Sequence, residues 1–289
     1  MDVAHRTLRC GEVDLHVAEA GRPDAPPLVL LHGWPHTWVS WRQVAERLGE
    51  LRLVMPDLRG LGDSGVPDAS YDKLTIAGDV ATLVRDVLAL EDPVVVGHDW
   101  GGVVAFYTAW LLGDSACGLG VVDVTVPNDL GAGPDISQGG GRWHHAFHRT
   151  SLAEALVIGR EEPYYRWFYE TLGATPDAVP EASVLEHLQT YSDPAHTRAG
   201  FAYYRSGAED RAAAGRVGRG GIGVPVLALG GDSSWGRGEE PLDCLRFFAD
   251  DVTGGAVPGC GHFVPEERPD ELAEMLRGFV ARCRGGAAG

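Results

Sequence analysis

The segment GHDWGG, residues 97–102, decides how this chain of 289 residues folds. The apolar run PVVV (93–96) precedes it and the apolar run VVAFYTAWLL (103–112) follows it, which predicts a strand, a sharp turn and a helix. Glycines permit a strained turn that pushes one side chain out of the sheet edge, as in the G-x-S-x-G pattern. Here that side chain is Asp99. The alternative, in which Asp99 only caps the following helix, fits this pattern less well.

A carboxylate at this position predicts a particular chemistry. Serine attacking a saturated carbon would form an ether, which water does not readily cleave. A carboxylate attacking the same carbon forms an ester, which water can hydrolyse to restore the enzyme. Asp99 therefore indicates a nucleophile for substitution at saturated carbon, with epoxides and alkyl halides as the natural electrophiles.

Hydrolysis of such an ester needs a general base, and His262 in the segment PGCGHFVPEERP (258–269) is the candidate. The alternative is an exposed loop histidine. Two carboxylates could orient His262. Asp123 lies in the apolar run VVDV, where a charge is costly without a partner, so we favour it over Asp232, which follows two glycines as a turn residue would.

The same step needs an oxyanion hole. The backbone N–H of Trp100, directly after the nucleophile, supplies one donor by its position. The N–H of Trp34, in the segment HGWP (32–35), is expected to supply the other. A tight turn without function is the alternative for HGWP.

The rest of the chain predicts an α/β fold. Strands alternating with helices imply a mostly parallel central sheet flanked by helices, and an aromatic-rich helical segment interrupts this alternation as an inserted cap (lid). We expect the first part of the α/β core at 1–126, the helical cap at 127–218 and the second part of the core at 219–289. The strands are expected at 12–20, 27–31, 51–55, 93–98, 118–124, 225–230 and 255–259, and the core helices at 38–49, 73–90, 101–112 and 265–282.

Composition excludes several classes. The formal net charge of −17 leaves no basic face for nucleic acid or an anionic membrane. Five cysteines, an odd number without a CxxC pair, predict free thiols in a reducing compartment rather than a zinc site. The polar N-terminal residues contain no signal-peptide core, which predicts a cytoplasmic protein. We expect neither a metal nor a cofactor.

Four motifs in order, HGWP, DLRGLGDS (57–64), GHDWGG and GCGHFVPEERP, resemble the epoxide hydrolase/haloalkane dehalogenase branch of the α/β-hydrolases over nearly the whole chain. In the cap, RWHHAFH (142–148) and FAYYR (201–205) are similar to epoxide hydrolases with a WHF-type motif.

The resemblance implies two cap side chains that protonate the departing ring oxygen. Tyr204 matches one position and His144 the other, with Tyr203 and His145 as adjacent alternatives. These aromatic residues could instead only pack the cap. The predicted function is epoxide hydrolysis to a vicinal diol, on an apolar or aromatic epoxide. The predicted substrate-binding residues are Trp34, Trp100, Trp143, His145, Phe147 and Tyr203. A monomer and a homodimer both remain open.

Two other functions fit parts of this pattern. A haloalkane or haloacetate dehalogenase would use the same Asp99. However, haloalkane dehalogenases usually carry Asn at the position of Trp34, and fluoroacetate-type enzymes carry Arg at the position of Trp100 and pair their cap histidine with Trp, where this chain has His145. A non-catalytic ligand-binding protein is disfavoured because the nucleophile, base and acid candidates are all present.

Overall fold

The computed structural model describes residues 1–132 and 142–285 and contains one eight-stranded sheet. Its strands follow the spatial order β1-β2-β4-β3-β5-β6-β7-β8. β1 and β2 pair antiparallel, as do β2 and β4, and all other neighbours are parallel. The strands are β1 Ala4–Cys10, β2 Val13–Gly21, β3 Pro27–Leu31, β4 Arg52–Pro56, β5 Val94–His98, β6 Gly118–Val122, β7 Val226–Gly231 and β8 Val252–Val257.

The predicted α/β fold is confirmed, with differences at individual strands. β3 coincides with its predicted range. β1, a mostly exposed polar strand, has no apolar alternation and was not predicted by its own pattern. β6 ends at Val122, two residues early, because Asp123 leaves the extended conformation with a φ of 54°. The last strand begins at Val252, three residues before the predicted range.

The helices cover both faces of the sheet and form the cap. The core helices are α1 Arg42–Ala45, α2 Lys73–Thr82, α3 Trp100–Leu112, α10 Glu240–Phe248, α11 Val264–Glu267 and α12 Pro269–Gly285. The cap helices, which lie between β6 and β7, are α4 Trp143–His148, α5 Ser151–Val157, α6 Glu161–Leu172, α7 Glu181–Thr190, α8 Pro194–Arg205 and α9 Gly207–Val217. None of the described helices is long and apolar enough to cross a lipid bilayer.

Three predicted core helices are shorter or interrupted. The segment predicted at 38–49 is a 3₁₀ turn, Trp38–Trp41, followed by α1. The segment predicted at 73–90 ends as a π turn, Leu83–Val87. The last helix is interrupted at Arg268, whose φ and ψ of −134° and 54° are non-helical, because the ring of a following proline disfavours the helical conformation.

The predicted division at residues 127 and 218 remains a prediction. Among the described residues between β6 and β7, six consecutive helices agree with an inserted cap. Residues 133–141 of the predicted cap lie outside the described residues.

Lys73, the only lysine of the chain, ties the cap to the core. Its ammonium group is fully buried and donates to Asp210 Oδ2 at 2.7 Å, to Ser206 Oγ at 2.9 Å and to the carbonyl oxygen of Tyr203. It also lies 4.0 Å from the centre of the Trp100 ring, where a cation is attracted to the aromatic face. Burial lowers the pKa of Lys73, and the charge of Asp210 opposes that shift.

We expect Lys73→Met to destabilise the protein because it leaves the Asp210 carboxylate buried without its counter-charge. Breaking a buried pair in this way costs about 3–5 kcal/mol. Urea unfolding measures the loss. In the control Arg85→Met, which breaks an exposed pair with Asp86, the free energy of unfolding should change by less than about 1 kcal/mol. Equal losses in the two variants would contradict the assigned role of Lys73.

Candidate active site

Asp99 occupies a strained turn between β5 and α3. Its φ of 51° and ψ of −133° are rarely adopted by a residue with a side chain, and such a conformation costs about 1–3 kcal/mol. The flanking glycines are required by space. A Cβ on Gly97 would lie 1.9 Å from the carbonyl oxygen of Gly101, and a Cβ on Gly101 would lie 2.3 Å from that of His32. The turn therefore directs the Asp99 carboxylate out of the sheet edge.

The two carboxylate oxygens of Asp99 have different surroundings. The backbone N–H of Trp34 donates to Oδ1 at 3.0 Å. Gly33 allows this approach, because a Cβ there would lie 2.4 Å from Asp99 Cβ. Oδ2 faces His262 Nε2 at 3.7 Å, which is too long for a hydrogen bond. Trp100 begins α3, so its backbone N–H has no acceptor within that helix.

Asp123 is the carboxylate that contacts His262. Its Oδ2 lies 2.6 Å from His262 Nδ1, while its Oδ1 accepts the backbone N–H groups of Gly231 at 2.9 Å and Arg237 at 2.8 Å. Asp232 is exposed and accepts the backbone N–H of Gly259 at 2.7 Å, as a turn residue does. The geometry thus agrees with Asp123 rather than Asp232 as the acid.

Burial determines the protonation of this pair. It lowers the pKa of His262 well below the ordinary value for histidine, so the imidazole is neutral at neutral pH. Burial raises the pKa of Asp123, and the charge and backbone N–H of Arg237 oppose that rise. Because Nδ1 lies at hydrogen-bonding distance from Asp123, we assign the proton to Nδ1. The lone pair of Nε2 then faces Asp99.

A small cavity of about 20 Å³ lies beside these residues. It has room for roughly one water molecule. His144 and His145 of α4 line it from the cap side. The full lining is Asp99, Trp100, Val124, Arg142, His144, His145, Leu172, Trp235, Arg237 and His262.

Tyr204 packs directly behind this lining. The centre of its ring lies 5.4 Å from that of Trp100 and 5.0 Å from that of His145. Burial raises the pKa of Tyr204 well above its usual range, and the nearby charge of Asp99 adds to that rise. Its hydroxyl therefore keeps its proton at neutral pH. Burial also lowers the pKa of His144, to about 3, so His144 is a neutral imidazole.

Four predicted substrate-binding side chains lie away from the cavity, which corrects the sequence-based assignment. The Tyr203 hydroxyl donates to the carbonyl oxygen of Arg59 at 2.8 Å, so it points away from the site. Trp143 is 42% exposed on the surface of the cap. Phe147 packs against Trp143 and Tyr164. Trp34 approaches Asp99 through its backbone N–H, while its ring packs among cap aromatics.

Sequence reasoning missed two arginines and one tryptophan in the lining. Arg142 directly precedes the cap motif, and Arg237 and Trp235 lie in the loop between β7 and α10. The sequence pointed to these three positions only through the residues next to them. Arg142 begins the quoted motif RWHHAFH, whereas the polar loop after β7 was interpreted solely through Asp232.

His36, His187 and Glu266 form one of two groups among the described residues whose side chains lie close enough together to hold a metal ion, and it is the one that is fully buried. The backbone N–H of Thr37 donates to His187 Nδ1 at 3.2 Å. A neutral imidazole that accepts at Nδ1 carries its proton on Nε2, so that nitrogen cannot bind a metal. His187 Nε2 faces Glu266 Oε1 at 3.7 Å and His36 Nε2 faces Glu266 Oε2 at 3.0 Å. This cluster is therefore a polar contact between α7 of the cap and the core.

Fold and site together define a hydrolase with a carboxylate at the nucleophile position. The model of the alpha/beta hydrolase family matches residues 28–275. The chain belongs to this family.

Individual relatives support the same assignment. A soluble epoxide hydrolase of Corynebacterium sp. (strain C12) is 34% identical over 98% of this chain and 99% of its own length. A fluoroacetate dehalogenase of Burkholderia sp. is 29% identical over 97% of this chain and 95% of its own length. The solved structure of the epoxide hydrolase CorEH without ligand has a TM-score of 0.88 and 33% identity, over 97% of this chain and 99% of that chain.

We expect Asp123→Asn to lower turnover by about 10⁴-fold, as removal of the orienting carboxylate does in Ser-His-Asp enzymes. The matched change Asp232→Asn should leave turnover within about twofold, because Asp232 only holds a turn. Steady-state kinetics of the two variants makes the comparison. A larger loss in Asp232→Asn would reverse the assignment of the acid.

Proposed function

We propose that this protein is an epoxide hydrolase that forms a covalent ester on Asp99. The observation that carries the proposal is the difference between the two Asp99 oxygens. Oδ1 is held by the Trp34 N–H at 3.0 Å, and Oδ2 faces His262 without a hydrogen bond to it. Oδ2 is thus available to attack carbon, while Oδ1 already occupies the site where negative charge must develop later.

In the first step, Oδ2 bonds to an epoxide carbon and the bond from that carbon to the ring oxygen breaks. The ring oxygen leaves as an alkoxide and needs a proton. Tyr204 supplies it from the cap side, with the neutral imidazole of His144 as the second donor. His144 lines the cavity from the cap, and the ring of Tyr204 lies behind that lining, 5.7 Å from the ring of His144 and 5.4 Å from the ring of Trp100.

In the second step, His262 Nε2 takes a proton from a water molecule whose oxygen attacks Asp99 Cγ. Asp123 stabilises the charged imidazole through Nδ1. Negative charge collects on Oδ1, where the backbone N–H groups of Trp34 and Trp100 stabilise it. The ester then breaks between Cγ and Oδ2. The diol leaves with Oδ2 and the proton from His262, and Asp99 keeps the oxygen and the second proton of the water. That proton then passes from the Asp99 carboxyl to the Tyr204 phenolate, which restores both groups.

The cavity of about 20 Å³ has room for roughly one water molecule, so the cap must shift before an epoxide binds beside Asp99. The apolar part of the substrate would rest on Trp100, Val124, Leu172 and Trp235, which agrees with an apolar or aromatic group of limited size. We propose that the protein acts in the cytoplasm, where thiols stay reduced, and its five free cysteines support this location.

The second candidate function is dehalogenation, which the fluoroacetate dehalogenase relative favours. It shares the attack by Asp99 but releases a halide, which needs N–H donors and no proton. Tyr204 and His144 favour the epoxide, since an alkoxide requires the proton that a hydroxyl can give.

We expect His262→Gln to trap the ester. Alkylation should proceed while ester hydrolysis slows by at least about 10²-fold. Intact mass after mixing with styrene oxide should rise by one substrate mass, located on Asp99 by peptide mapping. In wild-type single turnover in ¹⁸O-water, the label should enter Asp99 rather than the diol.

The control Asp99→Asn should form no adduct under the same conditions. A panel of epoxides, haloalkanes and haloacetates separates the two candidate functions. Adducts formed with halides alone would replace epoxide hydrolysis by dehalogenation. Label found only in the diol would exclude a covalent ester.

We expect Tyr204→Phe to slow alkylation by about 10²- to 10⁴-fold without slowing ester hydrolysis, because the lost proton is needed only when the ring opens. Rapid-quench single turnover resolves the two steps. The matched control is Tyr203→Phe, whose hydroxyl binds the carbonyl oxygen of Arg59 outside the cavity. Equal alkylation in wild type and Tyr204→Phe would remove Tyr204 from the mechanism.

A further inference from the structure

Two arginines face the cavity that contains the proposed nucleophile, and the two chemical steps use neither of them. Arg142 lies at the start of the cap helix α4, and Arg237 lies in the loop after β7. They approach the cavity from different elements and line it together with Asp99 and His262. The Arg237 side chain is 6% exposed. A desolvated guanidinium is costly unless an anion or hydrogen-bond acceptors compensate it.

The described protein groups satisfy only part of these two guanidinium groups. Arg237 Nη1 pairs with Glu240 Oε2 at 2.8 Å. With partners in residues 1–132 and 142–285, Arg142 makes one long hydrogen bond, from Nη2 to the carbonyl oxygen of Trp235 at 3.4 Å. Within residues 1–132 and 142–285, no carboxylate lies within 4.0 Å of Arg142, and neither Asp99 nor Asp123 forms an ion pair with a guanidinium group of either arginine. Each guanidinium has five N–H donors, so both groups have donors without an acceptor among the described residues.

The charges of the two arginines act on each other across this site. Burial lowers the pKa of Arg142, and the positive charge of Arg237 lowers it further. Asp99, Asp123 and Glu240 oppose that shift from a distance. An anion placed between the two guanidinium groups would relieve both the repulsion and the desolvation, and the planar N–H forks match a carboxylate in geometry.

We propose that Arg142 and Arg237 bind a carboxylate on the substrate, so that the preferred substrates are small 2,3-epoxy acids. The inference rests on the epoxide hydrolysis proposed above and names its substrate class. Because both arginines line the same cavity as Asp99, we place the carboxylate on the carbon next to the epoxide ring. Asp99 Oδ2 then opens the ring, water hydrolyses the ester, and the product is the 2,3-dihydroxy acid.

Glycidate and its neutral isostere glycidamide provide the test. For the wild type we expect kcat/KM to be roughly 10- to 100-fold higher for glycidate, the range that hydrogen bonds to a charged group supply. In Arg142→Gln and in Arg237→Gln, kcat/KM for glycidate should fall to about the value for the neutral glycidamide, mainly because KM for glycidate rises. The matched control is Arg85→Gln, an exposed arginine paired with Asp86 outside the cavity, which should keep the wild-type ratio.

Binding without turnover supplies a second measurement. Asp99→Asn should bind glycidate more tightly than glycidamide by calorimetry, and Arg142→Gln added to it should abolish that difference. If either glutamine variant fails to fold, Arg142→Lys and Arg237→Lys replace it. Lysine keeps the positive charge but loses the planar pair of N–H donors, so we expect a glycidate preference that is weaker than in the wild type but not abolished.

The outcomes separate the two proposals. If glycidamide and other neutral epoxides are hydrolysed as fast as glycidate, the arginine site is refuted while epoxide hydrolysis stands. If no epoxide is hydrolysed but chloroacetate or fluoroacetate is, and the arginine variants raise KM for it, the carboxylate site stands and epoxide hydrolysis fails. If an unchanged glycidate preference persists in both arginine variants, the proposed carboxylate site is wrong.

Discussion

The hydrogen bond from the Trp34 backbone to Asp99 Oδ1 is the interaction on which the geometry of the site depends. It distinguishes two chemically identical oxygens before any substrate binds. It also needs three unusual local features: a glycine at position 33, glycines at 97 and 101, and an Asp99 backbone with positive φ. The parallel strands β3 and β5 are direct neighbours, which brings the loops after them together at one sheet edge.

Much of this arrangement could be predicted because it depends on local patterns. The glycines around Asp99 and the apolar runs beside them specify the turn, and the charge of Asp123 in the apolar run VVDV indicates a buried partner. The cap could be predicted only as helical. Tyr203 and Tyr204 are adjacent on α8, so their side chains point about 100° apart, and sequence alone does not say which one faces Asp99. The structure turns Tyr203 toward Arg59 and leaves Tyr204 against Trp100.

The two cavity arginines show a second limit of sequence reasoning. Arg142 and Arg237 are separated by 95 residues and come from irregular segments, so no periodicity relates them. These two positive charges lie together in a protein whose formal net charge is −17. The acidic surface of the protein repels an anionic ligand at long range, and salt screens this repulsion. Salt screens the attraction between the ligand and the arginines inside a desolvated cavity much less. Arrival and retention of an anion would therefore respond differently to ionic strength.

The burial of Lys73 has a practical consequence for chemical labelling. Reagents that acylate side-chain amines have no other lysine to modify in this chain, and the one ε-amino group lies beneath the Trp100 ring with no exposed surface. Such reagents would reach it only when α8 and α9 separate from α2 or when the chain unfolds. The rate at which this single amine is acylated therefore reports how often the cap opens or the chain unfolds. Covalent immobilisation of the native enzyme could instead use surface carboxylates, which the acidic sequence provides in excess.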